Sequence, residues 1–244
     1  MVLIFFIYGL FIGSFLNVCI IRIPAGISIV TPCSFCGSCG HKLNYIDMLP
    51  VINYMVYKGR CRYCGEHYSL QYPIVELTNG VFYALVYLKY SLSAEAAAYC
   101  VIISILIAIS IIDIKHMIIP DGLNIAGAIT GFIYIAITKS SPVDKITGAL
   151  IGLGSFLAIA LLTHAMGGGD IKLMIVVGLM FGTKGVLFII FCSFAFGAVV
   201  SLILLIIKIK DRKDRISFSP FISLSAVIYI FFGLEIVNQY ILLF

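Results

Sequence analysis

The sequence predicts an all-α membrane protein, a polytopic bundle of about eight transmembrane helices with a small cysteine-rich cytoplasmic lobe. Three observations carry this. Of 244 residues, 62% are hydrophobic and only 11% charged, and the mean hydropathy of +1.15 is far above that of a soluble domain. Apolar runs long enough to cross a bilayer recur along the whole sequence. The Lys and Arg residues between them are shared very unevenly by alternate loops.

The first run, 1–21, lacks a basic leading region and a small-residue cleavage site, so it reads as a retained helix and not a signal peptide. Further runs follow at 72–90, 94–112, 122–138, 146–166, 171–181, 185–207 and 220–243. The 171–181 run is too short to span comfortably by itself, and a short helix beside a glycine-rich turn suits a cavity lining. With this count, one side of the membrane holds only Lys89, Lys139, Lys145 and Lys184, and the remaining twelve of sixteen basic residues face the other. That asymmetry places the richer side in the cytoplasm and both chain ends outside. The formal charge of +5 is then mostly this bias and requires no nucleic acid. The basic cluster from Lys208 to Arg215 is suited to anionic lipid.

Between the first two runs lie Cys36-x-x-Cys39 and Cys61-x-x-Cys64, each pair followed by glycine, Gly40 and Gly65. Paired turns of this kind suit a structural zinc site, where four thiolates close a tetrahedron. A reducing cytoplasm favours metal over disulfides; fortuitous turns, or disulfides in an inverted orientation, are the alternatives. Cys33 also stands in CxxC spacing with Cys36, but the glycine following the second ligand of each pair favours Cys36, Cys39, Cys61 and Cys64. Four thiolates leave no open position for water, so the zinc fixes a lobe and does no chemistry. Cys19, Cys100 and Cys192 lie in apolar runs and read as small core residues.

Two carboxylates stand at the edges of apolar runs, Asp113 in Ile111-Ile112-Asp113-Ile114-Lys115 and Asp170 in Gly167-Gly168-Gly169-Asp170-Ile171-Lys172. A carboxylate beside lipid needs a partner, a wet cavity or a task. The predicted topology puts both at the cytoplasmic edge, where they can meet. Two such groups that share a proton can activate water and assist a peptide carbonyl. Gly167, Gly168 and Gly169 would let an extended substrate approach Asp170 closely, through unusual dihedrals and the lack of side chains. Lys115 and Lys172, two residues after each aspartate, would snorkel to headgroups. Asp170 also suits a helix N-cap, as does Asp121 after Pro120 and Asp144 on the opposite side; Glu76 and Glu95 suit helix starts.

Together these motifs resemble the type IV prepilin peptidase family almost end to end. Gly13-Ser14-Phe15-Leu16-Asn17-Val18 with Arg22 and Pro24 resembles its opening helix. The cysteine tetrad, with Gly59-Arg60-Cys61-Arg62 and Tyr72-Pro73-Ile74-Val75-Glu76-Leu77, resembles its cytoplasmic lobe. Asp113 with Ile119-Pro120-Asp121, and the Gly167–Leu173 segment, resemble its two aspartate motifs. The resemblance implies intramembrane aspartic proteolysis by Asp113 and Asp170 in the bacterial cytoplasmic membrane. The partners implied are prepilins or pseudopilins with a short basic leader, cut after glycine and before an apolar helix. It also implies methylation of the new amine by S-adenosylmethionine, for which the sequence shows no glycine-rich fingerprint. Gln71, where the family commonly has arginine, and Cys33, near a commonly basic position, depart from the pattern. The domains expected are a first helix at 1–21, the lobe at 22–71 and a peptidase core at 72–244. A carboxylate-coupled transporter and a non-catalytic assembly protein are the competing classes.

Overall fold

The computed structural model describes residues 1–44, 46–163, 166–208, 211, 216–233 and 235–236. Among them the chain forms α1 (Val2–Arg22), α2 (Ile52–Val56), α3 (Gln71–Tyr90), α4 (Ala94–His116), α5 (Asp121–Thr138), α6 (Pro142–Thr163), α7 (Gly168–Ile206) and α8 (Ser219–Ile228). A π-helical turn, Tyr229–Gly233, continues α8, and no strand is present among the described residues. Five helices, α1, α4, α5, α6 and α7, are long and apolar enough to cross a membrane. Of the expected lipid-facing cluster, Lys210, Arg212, Lys213 and Arg215 lie outside the described residues, as does the end of the last run from residue 237 on.

The chain divides into two compact units, Met1–Leu92 and Ser93–Phe244; α3 thus belongs with the lobe and α1. In the first unit α1 and α3 run antiparallel along a seam one turn apart at each step. A Cβ on Gly9 would lie 2.7 Å from Gly80 Cα, and one on Gly13 2.7 Å from Glu76 Cα. Small residues four apart let the backbones touch, which is how helices associate in lipid without a hydrophobic drive. Polar side chains complete the seam: Asn79 Nδ2 donates to Gly9 O at 2.8 Å and Asn17 Nδ2 to Tyr72 O at 3.1 Å. Glu76 is buried in it and accepts from Val51 N at 2.8 Å, so it anchors the lobe backbone and does not merely face a helix dipole. Arg22, at the end of α1, gathers the next loop by donating to Ser28 O and Pro32 O at 3.1 and 2.8 Å.

In the second unit α4 is the central helix, with Ile102, Ile103, Ile109 and Ile112 fully buried. The two runs expected at 171–181 and 185–207 form the single element α7, broken at Gly182, where φ is +71° and ψ is −169°. The chain doubles back there. A Cβ on Gly152 of α6 would approach both Met174 O (2.5 Å) and Val186 Cγ2 (3.3 Å), residues that a straight helix would hold about 18 Å apart. The short run is therefore the first arm of a helical hairpin. Asp144 caps the second arm, Oδ1 accepting from Thr183 N at 3.2 Å, whereas its own helix is capped by Ser141.

Candidate active site and metal centre

Asp113 sits in the last turn of α4 with 6% of its surface exposed. Its Oδ2 accepts two hydrogen bonds from the start of α8, from Ser219 Oγ at 2.8 Å and Ser219 N at 3.3 Å. A carboxylate at a helix C-terminus is poorly placed with respect to its own dipole, and the N-terminus of a second helix supplies the missing positive end. Ser219 was invisible to sequence reasoning as a site residue. The Ser-Pro pair opening the last run was the available signal, because Pro favours the first turn of a helix.

Asp170 lies in the first turn of α7. Its Oδ2 reaches back to accept from Gly167 N at 3.3 Å, and Oδ1 is buried without a hydrogen-bond partner among the described residues. One oxygen therefore caps the helix, as an acidic side chain at the third position does, and the other is left for a different partner. The helices that carry the two aspartates, α4 and the first arm of α7, both pack on α5, where Gly127 meets Ile102 and Val176. The glycine run before Asp170 does not adopt unusual dihedrals: Gly167 is extended (φ −79°, ψ 152°). Space is what these residues provide. A Cβ on Gly169 would lie 2.7 Å from Ile119 Cβ, and Gly168 faces open space.

Two of the expected surface roles differ. Asp121 is not the cap of α5, whose cap position is Pro120. Instead Asp121 Oδ1 pairs with Lys172 Nζ at 2.7 Å, both side chains more than half exposed. Lys172, which lies about 51 residues away in sequence, is thereby turned to the neighbouring helix rather than to headgroups.

In the first unit the structure brings Cys36, Cys39, Cys61 and Cys64 together, with their sulfurs all within 4.8 Å of one another and Cys36 and Cys64 3.9 Å apart. Tetrahedral thiolate sites have metal–sulfur distances of about 2.3 Å and hence sulfur–sulfur edges of about 3.8 Å, so the donor set fits a metal ion. Each pair sits on the same knuckle. Cys36 N donates to His41 O and Gly40 N to Cys36 O; Cys61 N donates to Glu66 O and Gly65 N to Cys61 O. Gly40 (φ +70°) and Gly65 (φ +75°) take the left-handed turn each knuckle needs. Cys33 is exposed, and its carbonyl is held by Arg22. Crowding makes the thiols unequal. Burial works against ionising Cys61, but the Tyr68 hydroxyl and the backbone at Cys64 and Tyr63 outweigh it and hold the thiol at about 6. Cys64 gains from the Glu66 backbone, yet burial and the neighbouring thiols push it up to about 12.

Fold and site together define a polytopic membrane protein with two aspartates at helix ends of one helical unit, Asp113 buried and Asp170 half-buried, and a four-thiol cluster in the other unit. Residues 7–90 match the family described as Bacterial Peptidase A24 N-terminal domain, and residues 100–202 match the Type IV leader peptidase family. A protein of Bacillus subtilis (strain 168) named prepilin leader peptidase/N-methyltransferase is 32% identical over 99% of this chain and 98% of its own length. Proteins of the same name from Myxococcus xanthus (31% identical, 82% of this chain, 62% of its own) and Pseudomonas putida (28%, 94% and 90%) are also similar. The chain belongs to the type IV leader peptidase family. No solved structure matches it.

Proposed function

We propose that the protein cleaves the leader from type IV prepilins or pseudopilins with Asp113, Asp170 and water, and then methylates the new N-terminus. The observation that carries the peptidase reading is the asymmetry of the two carboxylates. Asp113 receives two donors from Ser219, which makes it the better seat for negative charge. Asp170 keeps an unpartnered oxygen in the site and is the group that holds the proton. Asp113 then takes a proton from water as the water attacks the scissile carbonyl, and Asp170 gives its proton to the carbonyl oxygen. The same pair returns a proton to the leaving nitrogen. Gly167 and Gly168 border the path of an extended substrate; Gly169 holds the turn against Ile119.

The four cysteines would bind zinc as a structural ion that orders the lobe. The charge asymmetry between loops supports a lobe and an acid pair that face the cytoplasm of a bacterial cell, with lipid around the bundle. Methylation is supported by the names of the relatives. Its donor would be S-adenosylmethionine, and the amine must be neutral to attack the donor's methyl group. Neither the transporter nor the assembly-protein reading has an observation in its favour.

The test is incubation of the purified protein in detergent with a prepilin, read by intact mass. Wild type is expected to remove the leader, and Asp113→Asn and Asp170→Asn each to lose at least about 100-fold in rate with unchanged thermal unfolding. Cleavage by folded single variants would sink the aspartic mechanism. A further methyl mass that depends on S-adenosylmethionine would establish the second activity, and an unmethylated product would remove it.

A further inference from the structure

One turn into the bundle from the acid pair, α5 buries Asn124, which is 5% exposed. Neither its Oδ1 nor its Nδ2 has a hydrogen-bond partner among the described residues. A buried amide with both ends unpaired opposes folding, so its retention points to a task outside the folded chain's own contacts.

Its position follows from the packing. Asn124 shares the buried face of α5 with Gly127, Gly131 and Tyr134. That face lies between α4 and the first arm of α7, because Gly127 meets Val176 and Ile102, and Gly131 meets Leu179. Tyr134 meets Tyr99. The α5–α7 contacts keep a nearly constant register: Ile119 with Gly169, Asp121 with Lys172, Gly127 with Val176, Gly131 with Leu179. Asn124 is therefore level with Leu173, about 4.5 Å deeper along the seam than Asp170.

We infer that the Asn124 side-chain amide brackets a backbone peptide group of the unwound substrate, donating to its carbonyl and accepting from its N–H, one or two residues beyond the scissile bond on the membrane-inserted side. The inference rests on the peptidase reading above. A primary amide offers a donor and an acceptor in the plane that a peptide group presents. A helix entering the site must give up its own pairings, and each freed group that stays in the hydrocarbon is costly. An extended chain advances about 3.3 Å per residue, so the step from the acid pair to Asn124 spans one to two residues. Substrate reaches Asn124 when the loop end of α5 parts from α4 and α7, while Gly127 and Gly131 keep the deeper part of the seam packed.

The test uses full-length protein in detergent and three synthetic peptides: a basic leader followed by an apolar stretch, and two analogues in which a backbone ester replaces the first or second amide past the cleaved bond. Wild type is expected to cleave one ester roughly tenfold more slowly than the amide peptide. Asn124→Leu is expected to cleave amide and ester alike, at the slower rate, and to unfold no earlier than wild type. An ester penalty that persists in Asn124→Leu would overturn the inference, as would wild-type indifference to both esters. Lowered unfolding temperature with an unchanged ester penalty would make Asn124 structural and overturn it too. Should wild type fail to cleave the amide peptide and the prepilin alike, the peptidase reading itself falls, and the bracket with it.

Discussion

On the proposed mechanism, the two donors of Ser219 make Asp113 the aspartate that carries the charge. Removing its hydroxyl leaves only the backbone donor on Asp113. Ser219→Ala is therefore expected to lower kcat by roughly 5- to 10-fold with little change in KM, and Ser219→Thr to retain most activity. Steady-state cleavage rates check this; an unchanged Ser219→Ala would return the two carboxylates to equivalence. Asp121 presents the opposite case. Its pair with Lys172 is solvent-facing, so Asp121→Asn should cost under about 1 kcal/mol of stability. The aspartates were legible in the sequence because charge inside an apolar run stands out. Ser219 and Asn124 were not, since a serine or an amide in such a run is ordinary until a distant helix is seen to face it.

At the scale of elements, glycines set the interfaces and one of them reverses the chain. Gly182 takes a left-handed φ of +71°, so Gly182→Ala should destabilise the second unit by about 1–2 kcal/mol. Thermal unfolding in detergent checks it, with Gly154→Ala, which faces open space in α6, as the neutral control. Hydropathy located both arms of α7 and the gap between them. It could not tell a loop from a reversing glycine, because both read as a brief polar interruption. The α1–α3 seam was legible only as residues: Gly9, Gly13 and Asn17 lie four apart, but their partner helix is named by contacts alone.

For the molecule as a whole, the proposed metal centre would make the lobe depend on its bound ion more than on a hydrophobic core. Stripping the metal with a chelator should raise hydrogen exchange across 36–64 and leave 93–206 unchanged; equal loosening of both would deny the lobe its separate stabilisation. Exposed Cys33, outside the tetrad, offers a test of orientation. A membrane-impermeant thiol reagent should label it in inverted vesicles and not in intact spheroplasts, and the reverse result would invert the topology. The expected orientation comes from the charge bias alone, which is read along the chain and needs no knowledge of packing.

The bond between Ser219 and Asp113 joins residues 106 positions apart. At ordinary synthesis rates, α8 leaves the ribosome roughly 5–20 s after the end of α4. Throughout that interval Asp113 lacks both of its donors. On the proposed mechanism, a nascent copy reaches its full cleavage rate only once α8 has docked on Asp113.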